Sequence, residues 1–182
     1  MSRGILKDWS RFIETYWSRY GNEVWYHGDI VFVDPADGLW YILGRADDMI
    51  KTSGHRVEPT EIEFAITSHS AVAEVAAIEI PDKIKGESVT AYVVLKKAFP
   101  RRNINSLKDE IVKIVESSIG KFACPENIIF VEDLPRTRTG KIVRRLINVK
   151  ALGELSSQDL SAIENPESLK NLVSSIDSKS PS

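Results

Sequence analysis

Residues 44–58 read GRADDMIKTSGHRVE, and this stretch decides how the surrounding chain folds. Ser53-Gly54 is a turn signal, because glycine adopts the positive φ angles that other residues resist. The stretch therefore predicts two short strands folded back on one another as a tight hairpin. We expect Arg45 and Arg56 near the two ends of this hairpin, with the backbone of Ser53 and Gly54 at its tip.

Composition excludes several classes of protein. The chain has 182 residues, 42% of them hydrophobic, which is enough for one domain and part of another. Its 24 Lys and Arg residues against 26 Asp and Glu residues give a net charge of −2, which exerts no general attraction for nucleic acid or an anionic membrane. Cys124 is the single cysteine, so a reducing compartment, the cytoplasm, is expected. No apolar run reaches the roughly 18 residues of a membrane-spanning helix.

A helix and a β-hairpin are predicted before residue 44. Apolar residues recur at helical spacing from Trp9 to Tyr20, and residues 21–22 end the pattern. An aromatic stripe of this kind is typical of packing rather than of a ligand site. Residues 24–33 and 39–43 are rich in β-formers and flank a turn, which predicts the hairpin.

Asp29 is out of place inside a strand pattern unless its carboxylate accepts hydrogen bonds. A carboxylate at a strand end suits the two hydroxyls of a ribose. Asp at a bulge or turn is the commoner case, and Asp29 directly follows Gly28. Both interpretations stay open.

Helices and strands follow one another after residue 58. The expected elements are a helix from Pro59 with Ile62, Ala65 and Ile66 buried, strands at 74–80 and 88–97 around a loop at 81–87, a helix at 105–119 and a strand at 127–131. His69 lies at the end of the first helix. A capping or surface histidine is expected there, because no second His or Cys is spaced to share a metal ion.

A basic run ends the globular part. Arg136, Arg138, Lys141, Arg144 and Arg145 occur without an acid between them, in a loop that leads into a helix near residue 142. Lys141 on a flexible loop can reach a phosphate as a point charge, while Gly140 lets the backbone approach closely. A basic surface face is the alternative interpretation. The pattern lacks the spacing of a Walker P-loop.

The carboxy-terminal residues 151–182 are polar and rich in serine. Leu169, Leu172, Val173 and Ile176 predict one short docking helix, and residues 177–182 are expected to be disordered.

Four fragments in this order and spacing resemble the carboxy-terminal part of the AMP-forming acetyl-CoA synthetases, a branch of the adenylate-forming acyl-CoA synthetases. They are YHGD, GRADDMIKTSGHRVEPTEIE, LPRTRTGK and LSAIENPE, and the starting RGI with DWSRFIETYWSRY is similar too. Members of that family activate a carboxylate with ATP to an acyl-adenylate, and the CoA thiol then attacks to give the thioester and AMP. Their carboxy-terminal domain rotates between the two half-reactions.

The resemblance implies a fold and its boundaries. Residues 1–46 would be the last helix and β-hairpin of a large adenylation domain. Residues 47–150 would form an α+β domain with a small mixed β-sheet and flanking helices, with its hinge at Asp47. Residues 151–182 would be a polar tail with a short helix.

The resemblance also implies roles for single residues on the nucleotide side. Asp29 would bind the ribose hydroxyls, and Arg45 the ribose or the neighbouring phosphate of ATP or AMP. Arg56 would lie near the nucleotide phosphates. Lys141 would be the catalytic lysine of adenylation, and its acetylation would silence that step by removing its charge.

The remaining implied ligands are CoA and Mg²⁺. Ser53 and Gly54 would line the path of the CoA pantetheine. Backbone oxygens of Thr67, His69 and Val72 would bind a magnesium ion. Relatives often carry a basic pair for a CoA phosphate where this chain has Glu116-Ser117-Ser118, so Lys113 or Lys121 would have to substitute for it.

Two classes of function follow. The first is part of an acetate–CoA ligase that uses acetate or another short carboxylate, with the large amino-terminal domain missing or on a separate chain; alone, this chain would not complete adenylation. The second is a non-catalytic module that binds nucleotide, CoA or a partner, or a truncated gene remnant. Nucleic-acid binding through residues 136–145 is disfavoured by the net charge of −2.

Overall fold

The computed structural model describes residues 4–21, 23–46, 48–82, 86–99, 104–151, 163–169 and 172. Asp47, the predicted hinge, lies outside the described residues. The chain divides into two compact units, Met1–Asp48 and Met49–Ser182.

The first unit begins with helix α1, Trp9–Tyr16. Asp8 caps it, since its side chain accepts a hydrogen bond from the Arg11 backbone N–H at 3.1 Å. The helix ends four residues before the predicted Tyr20. Beyond it the chain folds back, so that Tyr16 stacks on Trp25 with ring centroids 4.5 Å apart. Tertiary aromatic packing has therefore overridden the helical periodicity of residues 17–20.

Strands β1, Asp29–Val33, and β2, Trp40–Arg45, form the predicted antiparallel hairpin. A bulge separates Ile30 from Val31. Arg45 lies directly opposite Asp29, so it ends this hairpin and not the one that follows. The expectation that Arg45 and Arg56 mark two ends of one hairpin is wrong.

The second unit contains the remaining elements. These are β3 Ile50–Thr52, β4 His55–Val57, α2 Pro59–Thr67, β5 Val72–Asp82, β6 Gly86–Leu95, α3 Ile104–Ser118, a 3-10 turn Lys121–Ala123, β7 Asn127–Val131 and α4 Arg144–Ala151. Strands β5 and β6 are antiparallel, and β6 and β7 are parallel. The α+β fold with a small mixed sheet is thus confirmed. The loop between β5 and β6 is shorter than predicted, and α4 begins two residues after residue 142.

The three-stranded sheet is covered on both faces. Alternate residues of β5 point in opposite directions. Val75 and Ala77 join a first core with α2, α3 and the β3–β4 hairpin, whereas Ala76 and Ile78 join a second core with α4. Ile62, Ala65 and Ile66 are buried as predicted.

The second core includes part of the carboxy-terminal segment. Ile163, Leu169 and Leu172 are buried against it, and residues 166–169 are helical. The predicted docking is confirmed for Leu169 and Leu172, while Val173, Ile176 and residues 177–182 lie outside the described part of the chain. None of the helices within the described residues is both long and apolar enough to span a bilayer.

The β1–β2 hairpin exposes an apolar surface. Trp40 is 73% exposed and Ile42 is 72% exposed, and Val31, Phe32, Val33, Leu39, Tyr41 and Leu43 are also exposed. Apolar side chains are thus exposed along both strands of the hairpin, and exposure of this extent is typical of a surface that binds another protein surface.

We therefore expect the isolated 182-residue chain to associate. Light scattering after size exclusion should give a mass above the monomer value of 20.4 kDa. Replacing both Trp40 and Ile42 by Lys should shift the mass toward the monomer, because charge removes the apolar contact. Phe64→Lys, at a separate exposed aromatic on α2, serves as the control and should leave association unchanged. A monomeric parent chain at every concentration contradicts this expectation.

Candidate functional site

Asp29, Arg45 and His27 form a polar cluster at the open end of the β1–β2 hairpin. One Asp29 carboxylate oxygen lies 2.5 Å from Nδ1 of His27, and the other lies 3.5 Å from Nη1 of Arg45. The same Arg45 nitrogen donates to the His27 carbonyl at 3.0 Å. Asp29 is 20% exposed, so the cluster is fixed yet reachable from solvent.

Gly28 makes room for this cluster. Its φ is +87°, and a Cβ at this position would lie 2.9 Å from Nη2 of Arg45. Asp29 thus lies beside a backbone irregularity, as one of the two interpretations expected, and its binding of ribose hydroxyls stays a prediction. Two of the lone-pair positions of a carboxylate are used here, which leaves capacity for hydroxyl donors. His27 was missed from the sequence, although its spacing of two from Asp29 in an extended segment was a usable signal.

The β3–β4 hairpin in the second unit matches the prediction. Thr52 pairs with His55, and Ser53 and Gly54 form the tip with φ of +48° and +79°. Positive φ at both positions is what a two-residue type I′ turn requires. Lys51 and Arg56 lie directly opposite each other, and like charges in that arrangement oppose pairing. The hairpin therefore presents a positive surface suited to an anion.

A cleft of about 230 Å³ lies beside Ser53. Phe122 forms part of its wall, accepting a hydrogen bond from the Thr52 hydroxyl through its carbonyl and stacking on His55 at 4.2 Å. Glu116 and Lys121 also line it, whereas Lys113 does not. Burial raises the pKa of Cys124 in this cleft, with a smaller contribution from Glu116, which keeps the thiol protonated and inert.

The Lys141 loop is more ordered than the flexible tip expected from its composition. Arg136 and Ile142 form an antiparallel bridge at its base. Within the loop, the Thr137 N–H donates to the Lys141 carbonyl and the Gly140 N–H donates to the Thr137 carbonyl, both at 2.9 Å. Gly140 has φ of +81°, which a glycine adopts at little cost. The Lys141 side chain is exposed at this closed loop.

The arginines around the loop are paired with acids. Arg136 forms a salt bridge with Glu74 on β5. Arg144 forms a bidentate salt bridge with Glu63 on α2, in which Nε and Nη2 donate to the two carboxylate oxygens at 2.7 and 2.5 Å. Glu63 additionally accepts the Ala77 N–H at 3.0 Å along the edge of β5. The interpretation as a basic surface face is therefore wrong for Arg136 and Arg144, whereas Arg138 and Lys141 are exposed cations. No local sequence signal links Glu63 or Glu74 to residues so distant in the chain.

The two candidate regions of the second unit lie on opposite faces of its sheet. Ile50 and Val57 of the β3–β4 hairpin are buried in the first core, whereas Ile142 and Val143 after the Lys141 loop pack on the second. The structure therefore does not bring Ser53 and Gly54 together with Lys141.

The segment after α2 turns tightly around His69. Its ring accepts the Ala71 N–H at Nδ1 and lies 3.1 Å from a Glu110 carboxylate oxygen at Nε2. This contact holds the pKa of Glu110 below its usual range. The His69 carbonyl accepts the Val72 N–H at 3.0 Å. The ring is thus committed to structural hydrogen bonds, and the predicted role of the Thr67, His69 and Val72 backbone oxygens toward a metal ion stays a prediction.

The sequence of this chain is similar to a known domain family and to known enzymes. The AMP-binding enzyme C-terminal domain family model matches residues 61–141. The acetyl-coenzyme A synthetase of Methanothrix thermoacetophila is 43% identical over 175 residues, which cover 94% of this chain and 26% of that protein. The chain carries the AMP-binding enzyme C-terminal domain over residues 61–141, and the relatives that match nearly all of it are acetyl-CoA synthetases. It corresponds to the carboxy-terminal part of the acetyl-CoA synthetases and spans about a quarter of their length.

Solved structures of this synthetase family agree. An ATP-bound RpMatB-BxBclM chimera matches with a TM-score of 0.67 at 33% identity, covering 80% of this chain and 28% of that one. The acetoacetyl-CoA synthetase from Streptomyces lividans matches with a TM-score of 0.78 over 96% of this chain and 26% of that one. Its 22% identity supports a likeness of fold alone.

Glu79 links the β3–β4 hairpin to the sheet of this synthetase domain. Its carboxylate accepts the Lys51 N–H at 3.1 Å. Burial and a hydrogen bond with the Glu87 carboxyl raise the pKa of Glu79 to about 7. The folded state thus favours the protonated carboxyl of Glu79. This preference stabilises the fold fully below the unfolded-state pKa of Glu79, and the stabilisation is lost as the pH rises through about 7.

We therefore expect the free energy of unfolding to fall between about pH 4.5 and pH 7 through this group. Glu79→Gln keeps an acceptor for Lys51 and should flatten this part of the profile in urea titrations followed by circular dichroism. Glu61→Gln, at an exposed glutamate of α2, should keep the parent profile. An unchanged slope in Glu79→Gln would show that the carboxyl pair does not titrate in this range.

Proposed function

We propose that this chain supplies the nucleotide- and CoA-contacting side of an AMP-forming acetate–CoA ligase. The observation that carries the proposal is Lys141, an exposed cation on a closed, anchored loop whose flanking arginines are occupied by Glu74 and Glu63. No salt bridge to Arg138 or Lys141 occurs among the described residues. Lys141 is thus available to an anionic ligand from outside this unit.

In the adenylation step, a carboxylate oxygen of acetate bonds to the α-phosphorus of ATP while the bond to the pyrophosphate oxygen breaks. Negative charge develops on the oxygens around phosphorus, and the Lys141 ammonium offsets it. The Asp29 carboxylate accepts hydrogen bonds from the ribose hydroxyls. Arg45 holds that carboxylate in place, and Arg56 adds positive charge near the phosphates. Asp47 is proposed as the hinge.

In the thioester step, the CoA sulfur bonds to the acyl carbon and AMP leaves. Ser53 and Gly54 offer a narrow backbone turn along which pantetheine can pass. Lys121 lines the cleft beside Ser53 and can take a CoA phosphate, while Glu116 in the same cleft opposes it. Lys141 and this turn lie on opposite faces of the sheet, which supports a domain that turns one face toward the substrates in adenylation and the other in thioester formation.

Mg²⁺ is a hard cation that prefers oxygen ligands. Backbone oxygens of Thr67, His69 and Val72 are of the right kind, and the His69 carbonyl has a second lone pair beyond the one used by Val72. Within the described ranges, no cluster of three or more acidic, His or Cys side chains offers an alternative metal site. We assign these carbonyls to magnesium, which would supply positive charge and local rigidity.

The chain is proposed to be inactive alone, since it provides one side of the adenylate site. The large domain, in cis or as a separate chain, would supply the adenine and acyl pockets. The proposed substrate is acetate, and the proposed compartment is the cytoplasm. A second candidate is a binding module without turnover. Glu116 beside the Ser53–Gly54 turn favours a module that binds nucleotide or a partner rather than CoA, because its carboxylate opposes a CoA phosphate.

Reconstitution with an acetyl-CoA synthetase large domain, fused or supplied separately, tests the proposal. Acetate- and CoA-dependent AMP formation should appear with both parts present and with neither alone. Lys141→Ala should lower it about 100-fold or more, because one charge that stabilises the transition state is lost. Arg138→Ala removes an equal charge from the same loop and should change the rate less than about threefold, since exposed charges are screened. Saturable AMP binding by an assembled pair that never turns over would favour the binding module.

A further inference from the structure

The main chain of Arg136, at the base of the Lys141 loop, is held from both sides by the carboxy-terminal segment. Its N–H donates to the Asn165 side-chain oxygen at 2.9 Å, and its carbonyl accepts the Glu164 N–H at 2.9 Å. This arrangement resembles the pairing of one strand residue with a neighbouring strand. The segment 163–169 follows the matched family model, which ends at residue 141.

Asn165 bonds to the loop base at two further points. Its side-chain nitrogen donates to the Asp133 carboxylate at 2.6 Å and to the Leu134 carbonyl at 2.9 Å. One amide group thus bridges residues on both sides of Pro135. An amide supplies the required acceptor and donors at once, which neither a carboxylate nor a hydroxyl provides in the same geometry.

The segment that carries Asn165 is itself fixed. Ile163 and Leu169 are buried in the second core beside Leu134, and the Ser168 hydroxyl donates to the Asn165 carbonyl at 2.7 Å. The position of Asn165 is therefore set by the core and not by the loop it contacts.

The constraint reaches Lys141 through the Arg136 side chain. Its guanidinium bonds to Glu74 on β5 and donates to the Gly140 carbonyl at 3.1 Å, one residue before Lys141. With the backbone of Arg136 held by Asn165 and its side chain held by Glu74, the loop has a rigid base and an exposed tip.

We propose that Asn165 is a positioning residue for Lys141: the carboxy-terminal segment clamps the base of the loop so that the lysine ammonium meets its anionic ligand in a defined place. The effect on catalysis rests on the proposed function. The clamp itself does not, and it can be measured on this chain alone.

Hydrogen–deuterium exchange on the 182-residue chain tests the clamp. Asn165→Ala should raise exchange about tenfold or more at the loop amides of Thr137, Gly140 and Val143, since hydrogen bonds at their base are lost. The amides of β6 should stay at the parent rate. Glu164→Ala is the matched control, because it removes an exposed side chain and keeps the N–H that bonds to Arg136.

A paired exchange of side chains provides rescue. Asn165→Asp alone places two carboxylates together and should raise loop exchange. Adding Asp133→Asn lets the side-chain amide of residue 133 donate to the new carboxylate at residue 165 and keeps an acceptor for the Leu134 N–H, so that only the bond to the Leu134 carbonyl stays unmade. The double variant should return most of the protection.

Two outcomes overturn the clamp: unchanged loop exchange in Asn165→Ala, or an equal rise across all amides of the unit. In a reconstituted enzyme, Asn165→Ala should lower kcat for acetate-dependent pyrophosphate exchange and leave the KM for ATP within about twofold, as expected for a lost transition-state contact. An unchanged kcat despite faster loop exchange overturns the catalytic role. An inactive parent enzyme refutes the proposed function, and the exchange data still decide the clamp.

Discussion

The burial of both faces of a small mixed sheet is the constraint on which the second unit depends. Strand β5 is antiparallel to β6 and contributes to two cores at once, Val75 to one and Ala76 to the other. A three-stranded sheet has little area per face, so each face needs its own helices. The hairpin with Ser53 and Gly54 packs on the first core, and the residues after the Lys141 loop pack on the second core. The two candidate regions are separated because the two layers lie on opposite faces of the sheet.

Polar anchors then decide which charges remain accessible. Glu63 covers part of the edge of β5 through the Ala77 N–H and pairs with Arg144, while Glu74 pairs with Arg136. Covering a strand edge with a charged side chain also limits edge-to-edge association. The loop between these arginines projects Lys141. Tertiary contacts thus divide a run that reads as uniformly basic into the structural cations Arg136 and Arg144 and the exposed cations Arg138 and Lys141.

Local patterns predicted the parts that depend on local physics. The turn at Ser53-Gly54 and the buried face of α2 were predicted because glycine conformation and helical spacing are properties of a few neighbouring residues. The predicted end of α1 was wrong, because the helix stops at Tyr16, where the ring stacks on Trp25 in a tertiary contact. The contacts of Glu63, Glu74 and Asn165 join residues far apart in the chain, and no spacing in the sequence indicates them. His27 was within reach of a local argument, being two residues before Asp29.

Separate assays of the two half-reactions test whether Lys141 acts in adenylation alone. In a reconstituted enzyme, acetate-dependent ATP–pyrophosphate exchange reports adenylation, and CoA-dependent thioester formation from supplied acetyl-adenylate reports the second step. We predict that Lys141→Ala reduces the first about 100-fold or more and leaves the second within about threefold, because the Lys141 loop lies on the sheet face opposite the Ser53–Gly54 turn that is proposed for the second step. Equal loss in both steps, or no loss in adenylation, would contradict it.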